Sequence, residues 1–301
     1  MDTPPAPPDL PDDAHKGDAG RVLALVGSRD MPGAATLAAR AAMRAGAGLV
    51  TLGVTDRSLI AAVAPAAPEA IFVVLDGERF ERGRLPLALR DARADVRLVG
   101  CGRGNDDTTR ALVRALVDDT FDGPLVVDAD GLNAVSGEPE RLATARGVVV
   151  ITPHPGEAAR LLARPVGASE VERVLAAEEL ARRVRGVAVL KGKGTVVSDG
   201  ARTWIATTGN SGMATAGAGD VLAGILAAYL CAPQRFPGYS VWDAVRAAVH
   251  VHGLAGDLAA AAVGRRALVA SDLIAHLPAA QEAHRAAREP WAARALGGAS
   301  N

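Results

Sequence analysis

Seven short runs rich in valine, leucine and isoleucine, separated by alanine-rich segments, restrict what this chain can fold into more than any other feature. They occupy 22–26, 49–54, 71–75, 96–99, 125–127, 148–151 and 187–190. Most are apolar almost without interruption, whereas a strand with one wet face would alternate. Strands buried on both faces and separated by helices predict an α/β fold, a doubly wound and mostly parallel central sheet flanked by helices. Helical patterns fall at 34–45, 108–118, 156–163, 169–184, 220–230, 241–262 and 271–283. The segment 195–206 carries an Asp199-Gly200 turn between strand-like flanks and reads as a hairpin at the sheet edge.

The segment 207–220 (TTGNSGMATAGAGD), running into VLAGILAAYL, reads as an anion-binding loop that feeds a helix. Gly217, Ala218 and Gly219 leave their backbone N–H groups room to close on a phosphate. The helix behind them aims its positive end at the same point, which makes an anion hole. Asp220 stands where that phosphate would lie. A carboxylate repels a polyanion, so its use there is to take a proton from, or orient, a hydroxyl that meets phosphorus. Leu222, Ile225, Leu226, Tyr229 and Leu230 fall at helical spacing and predict one apolar stripe. Alone, a run of small residues reads more readily as a flexible surface loop, a reading that loses ground here because an acidic residue and a buried-type helix follow at once. Neither GxxxxGK[ST] nor a GxGxxG in register after an early strand occurs.

With 301 residues, 49% of them hydrophobic, and a formal net charge of −1, the chain can bury one large core or two modest ones. Balanced charge argues against nucleic acid or an acidic membrane as the main partner. The longest apolar stretches, such as 224–232, are too short to span a bilayer. The expected organisation is a disordered, proline-rich lead-in at 1–14, a single domain at 15–285, and a tail at 286–301. The lead-in lacks the features of a secretory signal. Two cysteines far apart, Cys101 and Cys231, predict neither a disulfide framework nor a zinc site, and fit a reducing cytoplasm. Of the 33 basic residues only Lys16, Lys191 and Lys193 are lysine. The pair at 191 and 193 marks either a position where a compact ammonium serves better than a guanidinium, or an exposed turn.

Ligands of a doubly wound sheet collect beyond the carboxyl ends of its strands, and several clusters fall there. Asp128 and Asp130 with Asn133 suit a hydrated magnesium ion, or else Asp130 caps a helix. His154, between two prolines, is placed to hydrogen-bond a substrate, and Glu157 to cap the next helix. Gly100, Gly102 and Gly104 permit close approach of a bulky ligand. Cys101 reads as inert, and His250 and His252 as structural or surface residues.

Taken in order, these clusters resemble the ADP- or ATP-dependent NAD(P)H-hydrate dehydratases of the ribokinase-like superfamily. The resemblance runs from about His15 to Leu273. It rests on HKG at 15–17 with Gly20, GSRDMPGA at 27–34, RAGAGLV at 44–50, DADGLN at 128–133 and TPHPGE at 152–157. LKGKGT at 190–195, GNSGMATAGAGD at 209–220, HGLAG at 252–256 and ASDL at 270–273 complete it. Cys101 and Arg103 differ from the proline and leucine of that family's glycine turn.

The resemblance implies repair of a reduced nicotinamide cofactor whose ring has been hydrated. Such enzymes phosphorylate the ring hydroxyl of the S epimer from ADP, or ATP, with Mg2+. The ring nitrogen then expels phosphate, restoring NADH or NADPH and leaving AMP where ADP is the donor. Carried onto this chain, Lys191, Gly192, Lys193, Gly194, Thr195 and Gly219 hold the nucleotide. Ala34, Gly102 or Gly104, His154 and Asp220 meet the hydrate, and Asp220 is the base. The resemblance also implies a homo-oligomer and, with no room before His15 for the epimerase domain of many relatives, a separate NAD(P)H-hydrate epimerase. Two other readings stand beside it: a kinase of a small hydroxylated vitamin precursor such as a thiazole or pyrimidine alcohol, and a nucleotide sensor without turnover.

Overall fold

A computed structural model describes residues 3–75, 85–86, 88–89 and 92–287. The strands are β1 (Arg21–Leu25), β2 (Leu49–Val54), β3 (Ile71–Val74), β4 (Val96–Val99), β5 (Leu125–Val127), β6 (Val149–Ile151), β7 (Val187–Leu190), β8 (Val196–Ser198) and β9 (Thr203–Ile205). They form one sheet in the order β3-β2-β1-β4-β5-β6-β7-β8-β9. Pairing is parallel from β3 through β7 and antiparallel for β8 and β9. All seven apolar runs return as strands, and the expected hairpin is the β8–β9 edge. Its turn is held by Asp199, whose Oδ1 accepts from the N–H of Ala201 and of Arg202.

Among the described residues the helices are α1 (Pro32–Arg44), α2 (Ser58–Val63), α3 (Asp107–Val117), α4 (Asp130–Asn133), α5 (Pro155–Leu162), α6 (Glu170–Val184), α7 (Ala218–Tyr229), α8 (Val241–Val263) and α9 (Ala270–Ala286). Successive strand side chains take opposite sides of the sheet. Val22, Ala24, Val50, Leu52 and Leu98 join α1, α7, α8 and α9 in one core. Leu23, Leu25, Val99 and Ile151 join α3, α5 and α6 in the other. Two separate cores on the two faces of one sheet are what near-continuous apolar strands require.

Two expectations need correction. The α7 stripe is not a stripe: every residue from Val221 to Tyr229 is buried, because the helix lies between the sheet, α1 and α8. Alanine and glycine at the positions between the large residues let those neighbours close in; a Cβ on Gly224 would lie 2.3 Å from the Ala38 carbonyl oxygen. The helix α2 has no counterpart in the sequence reading, since six residues are too few to set a period.

Residues 3–14, expected as a disordered lead-in, carry no helix or strand but touch the body of the fold. Pro4 is buried, and its carbonyl accepts from His284 Nε2 at 2.8 Å. The Tyr239 hydroxyl donates to the Pro5 carbonyl at 3.2 Å. The expected tail lies outside the described residues from 288 onward.

Strand order reverses between β1 and β4. At that switch point the loops leaving their carboxyl ends are tied together, the Gly27 N–H donating to the Cys101 carbonyl at 2.7 Å, and it is there that ligands of such sheets collect.

Candidate active site

The start of α7 lies against this switch point, Asp220 coming within 4.8 Å of Cys101 after β4 and Asp128 after β5. Gly217 is its N-cap residue at φ +87°, a conformation that glycine adopts without strain, and no side chain caps the helix. Of the three residues expected to form the anion hole, Ala218 donates its N–H to the Thr215 carbonyl at 3.4 Å, while no partner for the Gly217 or Gly219 N–H, nor for that of Asp220, is found among the described residues. The preceding loop is clamped from α8. Asp257 accepts from the Gly209 N–H at 2.8 Å and from Asn210 Nδ2 at 2.9 Å, and Thr208 Oγ1 donates to the His250 carbonyl. His252 Nε2 donates to the Ala218 carbonyl at 3.0 Å, bracing the first residue of α7. Burial pushes the His252 pKa down to about 4, so it does this as a neutral imidazole.

Asp220 stands in the first turn of α7, beside residues delivered by β5, β7 and the loop after β4. Asp128, 1% exposed, closes β5 and accepts from Lys191 Nζ at 2.6 Å through Oδ1. Its Oδ2 accepts from the buried Cys101 thiol at 3.5 Å. Lys191 Nζ also lies 3.8 Å from Glu157 on α5. Burial works against the ammonium, but Asp128 and Glu157 outweigh it and hold the Lys191 pKa above its ordinary value. Burial, and then the Asp128 charge, raise the Asp220 pKa to about 6, with the Cys101 thiol and Lys191 pulling the other way. The Cys101 thiol is pushed well up by burial, then by Asp128 and Asp220. A carboxylate poised near neutrality, a half-buried ammonium and unfilled N–H donors around one point are suited to moving a proton while a phosphoryl group passes.

The other predicted residues lie on α1 and on the loops after β4, β6 and β7. Lys191 points inward, while Lys193 is exposed, its carbonyl held by Arg173 Nη1. Thr195 Oγ1 donates to the Gly192 carbonyl, closing the 191–195 turn. A Cβ built on Gly219 would lie 3.5 Å from Lys191 Nζ, so the two predicted nucleotide segments meet. Gly102 and Ala34 also meet: a Cβ on Gly102, at φ +62°, would come within 2.6 Å of the Ala34 Cβ. Gly104 faces open space and donates its N–H to Asp130 Oδ2 at 2.8 Å. Asp130 opens α4 but spends its carboxylate on Gly104 and Asn133 rather than on a helix cap. Buried Arg103 reaches the Gly27 carbonyl and Thr55 Oγ1, tying together the loops after β1, β2 and β4. His154 caps α5: its Nδ1 accepts from the Gly156 and Glu157 N–H, and Glu157 returns the bond by accepting from the His154 N–H at 2.7 Å. Glu157 is thus the cap its position predicts, and His154 Nε2 lies 3.5 Å from Glu157 Oε1.

A family profile described as NAD(P)H-hydrate dehydratase matches residues 22–279, which include every one of these side chains. The chain belongs to the NAD(P)H-hydrate dehydratase family. It is 43% identical over 270 residues to a bifunctional NAD(P)H-hydrate repair enzyme of Moorella thermoacetica, covering 88% of this chain and 49% of that protein. It is 37% identical over 251 residues to an ADP-dependent (S)-NAD(P)H-hydrate dehydratase of Neisseria meningitidis, covering 82% of this chain and 79% of that one. The chain thus spans about half the length of the bifunctional relatives it matches. Among solved structures, the ADP/ATP-dependent NAD(P)H-hydrate dehydratase of Bacillus subtilis, co-crystallised with ATP/Mg2+, superposes with a TM-score of 0.78 at 31% identity, covering 93% of this chain and 95% of that one. The fold is ribokinase-like.

The donor set of this family member fits magnesium in one manner. Asp128 Oδ1 is already taken by Lys191, so a hard, hydrated cation finds carboxylate oxygen here through its waters while its own oxygens of choice are phosphates. Asn210, Asp257 and His252 escaped the sequence reading as site residues, as did the place of Cys101. The His and Asp of α8 carry a signal in retrospect: polar side chains in a helix otherwise dominated by alanine and valine. No helix among the described residues is long and apolar enough to cross a membrane.

Proposed function

We propose that this chain dehydrates the S epimer of NAD(P)H hydrate to NAD(P)H, using ADP, or ATP, as phosphoryl donor. The observation that carries the reading is Asp220, held near pH 6 at the uncapped start of a buried helix, beside Lys191. The carboxylate takes the proton of the ring hydroxyl as its oxygen bonds to the terminal phosphorus of the nucleotide. The bond to the bridging oxygen breaks, and AMP leaves when ADP is the donor. The ring nitrogen's lone pair then expels phosphate, and a proton leaves the neighbouring ring carbon to restore the dihydropyridine.

Free N–H groups of Gly219 and Asp220, with Lys191, stabilise charge on the travelling phosphoryl group. Gly192, Lys193, Gly194 and Thr195 hold the nucleotide, and Ala34, Gly102, Gly104 and His154 shape the hydrate pocket. Magnesium, if bound, would be held through its waters by Asp128 and would supply positive charge against the phosphates. The Neisseria relative is named as ADP-dependent and the Bacillus one as ADP/ATP-dependent, which supports either donor. A cytoplasmic homo-oligomer supplied by a separate NAD(P)H-hydrate epimerase completes the proposal.

The test is incubation with hydrated NADH and ADP or ATP, following reduced-nicotinamide absorbance together with the nucleotide product. Growth of that absorbance matched by AMP, or by ADP from ATP, is expected. A stable phosphate ester without NADH would instead assign a kinase, and no turnover with intact nucleotide binding would assign a sensor.

A further inference from the structure

Cys101, read from sequence as inert, is not remote from chemistry. Its sulfur and one carboxylate oxygen each of Asp128 and Asp220 lie within 4.8 Å of one another, the group of this kind found among the described residues. The three side chains come from three segments separated in sequence, and Asp128 and Cys101 are buried. Tetrahedral zinc places a thiolate sulfur and a carboxylate oxygen about 3.5 Å apart. Cys101 Sγ and Asp128 Oδ2 are 3.5 Å apart.

The charges fit as well. Lys191 occupies Oδ1 of Asp128 and leaves Oδ2, the oxygen facing the sulfur. With a zinc ion bound, the thiol proton is released to solvent, and thiolate, two carboxylates, ammonium and metal sum to neutrality in a buried place. Magnesium does not compete for such a site, because a hard cation gains little from sulfur and keeps its waters.

We infer that Cys101, Asp128 and Asp220 form a binding site for a thiophilic divalent cation, zinc being the fitting one, whose occupation ties up Asp220 and halts turnover. Only the blocking consequence rests on the function proposed above for Asp220; the binding does not.

Cobalt(II) tests the binding without reference to activity. Added to the nucleotide-free full chain, it is expected to give a thiolate-to-cobalt charge-transfer band saturating at one equivalent, erased by zinc and untouched by a large excess of magnesium. The band should vanish in Cys101→Ser, which keeps the size and the hydrogen bond, and persist in Cys231→Ala. No band, or a band that survives in Cys101→Ser, overturns the site.

In the repair assay with magnesium and ADP, zinc should inhibit the native protein. Its half-inhibiting concentration should rise at least about tenfold in Cys101→Ser, relative to that variant's own uninhibited rate. Cobalt or zinc bound with full turnover overturns the blocking role. An intact cobalt band in a protein that converts no hydrate overturns the proposed function and leaves the metal site standing.

Discussion

Two helices begin at the same end of this sheet and treat their free N–H groups in opposite ways. At α5, His154 and Glu157 form a reciprocal capping box, so the donors are satisfied from within. At α7, Gly217 offers no side chain, and the Gly219 and Asp220 N–H groups are left open. Both starts hold an acidic residue three positions after the cap. Glu157 folds back onto the backbone and adds stability, whereas Asp220 does not, and burial beside Asp128 raises its pKa to about 6. One helix has its end closed by its own sequence and serves as scaffold. The other keeps its end unfinished, and a ligand's phosphate is what would finish it.

The sharpest way to break this contrast is Asp220→Asn. If Asp220 is the base, turnover falls by about 10²–10⁴-fold while both ligands still bind. The same change should stabilise the protein. A carboxyl whose pKa is raised in the folded state binds its proton more tightly there, so stability falls as pH rises from its ordinary value of 3.8 to about 6. Above that window the buried charge costs on the order of 1–3 kcal/mol, which the amide removes, and a higher melting temperature at pH 7 is expected. In the native protein kcat/KM should decline as pH drops below about 6. An unchanged rate or a lowered melting temperature in Asp220→Asn would end the comparison. Lys191→Met acts next door and in the opposite sense: it strands Asp128 without its ammonium, and a loss of about 3–5 kcal/mol is expected in denaturant unfolding.

Gly219→Ala probes the open end itself. Its Cβ would meet Lys191 Nζ at 3.5 Å and Asp128 Oδ2 at 3.9 Å, ordinary contacts that leave the fold undisturbed while narrowing the place assigned to phosphate. The expected outcome is a roughly tenfold rise in KM for the nucleotide, about 1.4 kcal/mol of binding, with a melting temperature near that of the native chain. Equal KM values would move the phosphates away from α7.

Much of this was legible in sequence, for a physical reason: the features that announce themselves are local. Uninterrupted valine and leucine runs encode strands buried on both faces, and a glycine, an alanine, a glycine and an aspartate in succession encode an uncapped helix start. What the sequence hides is who meets whom across the sheet. Cys101 reads as inert because its only basic neighbour in sequence is Arg103, yet the β4–β5 pairing carries it to Asp128, and α7 brings Asp220 to the same point. Likewise His252 reads as one more helical residue until α8 packs on α7 and sets its ring on the Ala218 carbonyl. The pairing of Asp128 with Lys191 crosses β6, so no spacing rule connects them.

His154 tests the closed end of the comparison and separates two roles in one side chain. Its Nδ1 caps α5, and its Nε2 carries the proton, because a nitrogen that accepts from two N–H groups cannot hold one. Replacing it with alanine removes the cap and the Nε2 donor beside Glu157 together, at a cost of about 1 kcal/mol. Asparagine is a good N-cap residue but is too short to place a donor where Nε2 stands. His154→Asn should therefore recover most of the stability lost in His154→Ala, as read by thermal melting. If the imidazole also meets the hydrate, both variants share a raised KM for that substrate and an unchanged KM for nucleotide. If His154 only caps, the asparagine variant is native in both KM values, and the helix start at α5 is scaffold alone.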